Sequence, residues 1–139
     1  MRLSLPIFGA DAPRYLITLG DTHHTPEPRP GLRIIPLARP DATIAAVRYV
    51  QIPQWKEMGV KAAHVQLSIG HADLMATLGD ESFAAAAYPR FTEHAQAIAA
   101  ELEGLCEPGA SISVLPLTGF EGWSWGERFQ TVLSGIIRP

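Results

Sequence analysis

Apolar and polar residues alternate in short runs through the first half of the chain. Leu3, Leu5 and Ile7 alternate with Arg2, Ser4 and Pro6, and Tyr15, Ile17 and Leu19 alternate with Arg14, Leu16 and Thr18. A period of two predicts half-buried strands at both places. Leu32 to Ala38 is apolar and β-leaning around Pro36. Thr43 to Ile52 mixes early alanines with Val47, Tyr49, Val50 and Ile52, and it reads as a hairpin partner of the strand before it. Val65, Leu67 and Ile69 alternate with His64, Gln66 and Ser68, the clearest strand signal in the chain. Between Tyr15–Leu19 and Leu32, the stretch 21–31 reads DTHHTPEPRPG, and its three prolines predict an exposed loop.

The second half changes period. His71 to Leu78 predicts a short helix closed by Gly79, and Asp80 or Ser82 caps another through Ala84 to Ala87. Pro89 suits the first turn of a longer helix, in which Phe91, Ala95, Ile98, Ala99, Leu102 and Cys106 share a face. Glu107-Pro108-Gly109 is expected to end it, and Ile112, Val114 and Leu117 to form a later strand. Ser124 and Glu127 have the spacing of a capping box before a terminal helix carrying Phe129, Val132, Leu133 and Ile136. The β-branched Thr131, Val132, Ile136 and Ile137 leave residues 125–137 open to a strand as well.

Strands first and helices after predict a single α+β domain over residues 1–139: a layered fold with a largely antiparallel sheet of about five strands against two or three helices. Leu5-Pro6-Ile7, Ile35-Pro36-Leu37 and Leu115-Pro116-Leu117 each place a proline where a ladder donor is missing, which marks edges or strand ends.

Composition narrows the class. Apolar residues make up 47% and charged residues 18% of 139, which suits a packed core and disfavours disorder. No apolar run is long enough for a membrane span. A net charge of −3 disfavours a nucleic-acid-coating protein. That charge is unevenly spread: residues 1–70 hold eight basic and five acidic side chains, and residues 71–139 hold three and nine. Cys106 is the only cysteine, so no internal disulfide forms, and a reducing cytoplasmic setting is expected.

Three places carry candidate chemistry. In the first, Asp21, His23 and His24 follow one strand and His71 and Asp73 follow another. If those strands are neighbours the residues converge, and His64 on the polar strand face joins them. Mixed oxygen and nitrogen donors of this kind suit zinc, manganese or iron. Gly20-Asp21-Thr22-His23 resembles the opening D-x-H element of calcineurin-like metallophosphoesterases, which implies Asp21 and His23 as metal ligands. The later GDxxD and GNH elements of that family are absent, and Phe83 stands where its second aspartate would be.

In the second, residues 119–129 gather Phe120, Trp123, Trp125 and Phe129 with three glycines and Arg128, the makings of a recognition loop or of a lid folded on the core. The third is the acidic cluster Glu101, Glu103 and Glu107, placed against the helix dipole. Nucleotide-binding, serine-hydrolase and zinc-knuckle signatures are absent.

The leading expectation is a non-enzymatic interaction domain without cofactor, such as an inhibitor, adaptor or assembly subunit. It would meet another protein, of basic character, or a second copy of itself through Glu101, Glu103, Glu107, Phe120, Trp123, Trp125 and Arg128. The alternative is a small metal-dependent hydrolase or lyase using Asp21, His23, His24, His64, His71 and Asp73. A small-molecule pocket along His64, Gln66 and Ser68, between sheet and helices, comes third.

Overall fold

The computed structural model describes residues 13–21, 26, 27 and 29–136. Among them, four strands form one sheet: β1 (Arg14–Gly20), β2 (Leu32–Pro36), β3 (Ala62–Ser68) and β4 (Cys106–Val114). They lie in the order β2-β1-β3-β4, and every pairing is parallel. The α+β content agrees with expectation, and the antiparallel arrangement of about five strands does not. Two segments account for the difference. Thr43 to Ile52, expected to complete a hairpin, is helical. The strand expected at Leu3–Ile7 lies outside the described residues.

Four helical segments accompany the sheet. The first, α1, is continuous through Ile44–Ala46, a π-helical stretch Val47–Gln51, and Ile52–Met58. The others are α2 (His71–Met75), α3 (Glu81–Leu105) and α4 (Ser124–Ser134). Ile44, Val47, Ile52 and Trp55 are buried in α1 at helical spacing, and that burial outweighs the strand preference of Val47, Tyr49 and Val50. Pro53 has no N–H to give, and the π turn widens the ladder just before it, with the Ile52 N–H donating to the Val47 carbonyl.

The Asp80 carboxylate caps α3 by accepting from the Ser82 and Phe83 amides at 2.8 and 3.1 Å. The two helices expected on either side of Pro89 are one, because exposed Ala85 and Ala86 leave the freed carbonyl beside Pro89 to water. Cys106 is not in that helix but opens β4, and Pro108 falls in the register shift of the ladder between Cys106 and Ser111. The Ser124–Glu127 capping box does not form, although the helix it announced does.

The topology decides which sheet face is covered. β2→α1→β3 and β3→α3→β4 both advance in one direction across the sheet, so right-handed crossovers bring their helices to the same face. There Ile17, Leu19, Val65 and Leu67 meet Val47, Trp55, Phe91, Ile98, Leu102, Phe129 and Leu133 in one buried cluster. The β1→β2 step runs the other way, and the described residues of its connection lie on the opposite face. That connection is the proline-rich loop 21–31. Pro26, Glu27 and Arg29 line a hollow there with Leu16, His64, Gln66 and Ser111. The polar face of β3 therefore turns away from the helices, not into a pocket beneath them.

Candidate functional site

In a parallel sheet all carboxyl ends open on one edge, and the three connections leaving that edge after β1, β3 and β4 carry the features singled out in the sequence. Gly20 of β1 pairs in register with Ser68 of β3. The strands carrying Asp21 and His71 are thus neighbours, as convergence required. β1 and β3 also form the point where chain direction reverses across the sheet, where open parallel sheets form their ligand crevices.

The edge is tightly laced. The Gln51 side chain, fully buried, accepts from the Gly20 N–H at 2.6 Å and donates to the Gly20 carbonyl at 3.1 Å. The Arg39 N–H also donates to the Gly20 carbonyl, at 2.9 Å. Asp21 is 5% exposed, and its N–H donates to the Ser68 carbonyl at 2.7 Å. Gly20 has φ +98°, and a Cβ there would overlap the Ser68 carbonyl, so only glycine admits this approach of β1 to β3. Gly70, at φ +110°, packs against Leu117 and Leu133 and turns the chain directly into α2.

Beside this lacing, Ser68, Ile69, His71 and Leu115–Thr118 enclose a cleft of about 260 Å³. Its walls are fixed from behind: the Leu115 N–H donates to the Leu67 carbonyl at 2.8 Å, and the Leu117 N–H donates to Gln130 Oε1 at 2.6 Å. The aromatic loop meets one of its lining residues, His71. Phe120 meets the His71 ring with centroids 5.5 Å apart, and Trp123 meets Phe120 at 6.5 Å. The Glu121 carboxylate accepts from the Gly119 N–H at 2.8 and 3.0 Å; these backbone hydrogen bonds hold it below the usual carboxylate range.

The other sequence candidates lie elsewhere. His64 is near the amino end of β3, with Nδ1 against the Ser111 hydroxyl, a strand length away from His71. Asp73 Oδ2 accepts from the Ile44 N–H at 2.9 Å at the start of α1. His23 and His24 lie outside the described residues. Among the described residues, no group of three His, Cys, Asp or Glu is arranged to hold a metal ion.

Glu101 pairs with Lys56, and Glu107 with Arg14 at 2.6 Å, while Glu103 is exposed. Trp125 is half-buried against Tyr88 at 5.7 Å, and the Arg128 guanidinium lies 4.4 Å from its ring. Burial pushes the Cys106 thiol up, which makes it a poor nucleophile.

Sequence reasoning missed Gln51, Ser68 and Thr118 as parts of this edge. Gln51 sat inside the segment read as a strand. Ser68 reads in the sequence only as part of the polar strand face, and Thr118 gives no signal until β4 is known to run parallel to β3. No helix among the described residues is long and apolar enough to cross a membrane. The chain matches no protein-family model and no curated protein.

Proposed function

We propose that the protein is a small hydrolase or lyase acting on a compact polar molecule at the carboxyl edge of its sheet. His71 moves the proton, Ser68 and Thr118 offer hydroxyl groups to the substrate, and Asp21 supplies a buried carboxylate next to the cleft. The observation that carries this reading is the Gly20–Ser68 register, with the Asp21 N–H bonded to the Ser68 carbonyl, which sets an acid and a histidine on adjacent strand ends. Histidine is the side chain best suited to exchange protons near neutral pH. The cleft volume falls below the roughly 300–1,000 Å³ of drug-sized sites, so the substrate has few heavy atoms. Phe120 against the His71 ring keeps water from one side of it.

The partner-surface expectation receives less support, because Glu101, Glu107 and Arg128 are already engaged within the chain and Trp125 is packed on Tyr88.

The test is a two-dimensional amide NMR screen against small phosphate, carboxylate and hydroxyl compounds, followed by incubation of each binding compound with the protein. The expected result is amide shifts at Gly70, His71 and Thr118, slow conversion of the bound compound, and loss of conversion in His71→Ala with an unchanged melting curve. Compounds that bind elsewhere, or that bind here and persist unchanged, contradict the proposal.

A further inference from the structure

A second cavity, independent of the carboxyl-edge cleft, lies between the start of α1, α2 and the first half of α3. Its volume is about 530 Å³, within the range of small-molecule sites. The apolar part of its wall includes Phe83, Ala87, Phe91 and Phe129. Phe83 is 54% exposed despite its size, so the rim of the cavity is apolar as well.

Besides Thr43, whose hydroxyl accepts from the Ala46 N–H, three polar side chains interrupt this wall. Asp73 presents a carboxylate of which one oxygen, Oδ2, is bound to the Ile44 N–H. Arg90 brings a guanidinium from an exposed position on α3. His94 is 6% exposed, and its Nδ1 lies 3.2 Å from Arg48 Nη1. A guanidinium only donates, so Nδ1 accepts and the ring proton sits on Nε2. Burial first, then the Arg48 charge, lowers the His94 pKa, in keeping with that neutral tautomer. His94 thus adds a neutral N–H donor to a cavity that already has one anionic and one cationic group.

An acceptor of positive charge, two donors to negative charge and an aromatic interior call for one class of molecule. We propose that this cavity binds a free α-amino acid with an apolar side chain, its ammonium on Asp73, its carboxylate on Arg90 and the His94 ring N–H, and its side chain against Phe83 and Ala87. A ligand without the ammonium leaves the largely buried Asp73 carboxylate without a partner, which is costly, and a ligand without the carboxylate forgoes the charge-assisted hydrogen bonds of Arg90 and His94. Recognition therefore requires both charges.

The experiment is a calorimetric and NMR titration of the full chain with L-phenylalanine and L-leucine, beside 3-phenylpropanoate and 2-phenylethylamine, which lack the ammonium and the carboxylate. The expected result is saturable binding of the amino acids, amide shifts at Ala76, Phe83 and Ala87, and about tenfold or greater weakening for either one-charge analogue, since each tenfold is about 1.4 kcal/mol. Asp73→Asn and Arg90→Gln each weaken amino-acid binding by a similar factor. Arg90 is exposed, so Arg90→Gln leaves the fold in place and keeps the test valid if Asp73→Asn alters the packing of α2. Absence of binding at millimolar amino acid, equal binding of the one-charge analogues, or Arg90→Gln without effect overturns the proposal.

Discussion

At the amino edge of the sheet the chain is short of loop. α3 passes from Leu105 straight into β4 at Cys106, and only residues 59–61 separate α1 from β3. The contacts there are exposed and ionic: Arg14 with Glu107, and Lys61 with the Gly104 carbonyl. At the carboxyl edge, residues 21–31 and 115–123 form long connections, and the contacts are buried hydrogen bonds to backbone at Gly20, Asp21 and Leu117. One edge is closed economically by helix ends. The other is held rigid from below while its loops are left free to carry chemistry, the division of labour seen where a scaffold positions functional loops. The comparison also assigns the acidic residues. Glu107 belongs to the amino edge as a structural charge, whereas Asp21 belongs to the carboxyl edge as a buried one.

Glycine substitutions separate the two edges most strongly. Gly20→Ala combines a left-handed backbone with overlap on the Ser68 carbonyl, and it is expected to cost about 3 kcal/mol or more. Gly59→Ala ends α1 at the amino edge with φ +69° but open space around its Cβ, and is expected to cost about 1 kcal/mol. Urea denaturation of both variants checks the ranking. Equal losses would mean that β1 and β3 do not approach as described.

Gln51→Leu comes next, since it leaves the Gly20 N–H buried without its acceptor, at about 2 kcal/mol. Arg14→Gln at the other edge removes an ion pair whose arginine side chain is 58% exposed, and falls at about 0–1 kcal/mol. A denaturation midpoint for Arg14→Gln as low as that of Gln51→Leu would erase the distinction between the edges.

How much of this contrast was legible in the sequence follows from where each signal was local. The strands at Tyr15–Leu19 and Val65–Ile69 are visible because alternation is a property of neighbours along the chain, and the one within Leu32–Ala38 because its residues are apolar and β-leaning. The Asp80 cap and the face of α3 were visible for the same reason. The segment from Thr43 to Ile52 misled because Val47, Tyr49, Val50 and Ile52 suit a strand one residue at a time. The helical set Ile44, Val47, Ile52 and Trp55 emerges only when the reading extends past Pro53. With that segment helical, β2 reaches β3 by a crossover past β1 and not by a hairpin; the crossovers after β1 and β3 make the other pairings parallel too. His64 and Asp73 lie elsewhere, while convergence of the Asp21 and His71 loops requires neighbouring strands, and the Gly20–Ser68 register supplies that adjacency. The aromatic loop joins them because β4 is also parallel, which no local pattern announces.

A smaller effect concerns Asp73, on the short helix that begins at His71. Burial pushes its carboxyl from an ordinary 3.8 up to about 6, against the opposing Ile44 N–H. The folded protein therefore holds this proton more tightly than the unfolded chain. The group's contribution to stability falls as pH rises from about 4 to about 6 and is constant above that, a change on the order of 3 kcal/mol. Asp73→Asn, which keeps an oxygen for the Ile44 N–H, is expected to remove that slope and to match or exceed the wild-type stability at pH 7. Thermal melts of both proteins across this range check it, and an unchanged slope contradicts it.

The central claim is that the loops after β1, β3 and β4 share one edge, about 20 Å from the other for strands of seven residues. A spin label on Thr118→Cys, in a Cys106→Ser background, tests it directly by paramagnetic broadening. The expected result is strong broadening of the Gly20, Asp21, Gly70 and His71 amides, with Lys61, Ala62 and Gly104 left sharp. Broadening at Lys61 and Gly104 with sharp Gly20 and Gly70 would place β4 antiparallel and contradict the account.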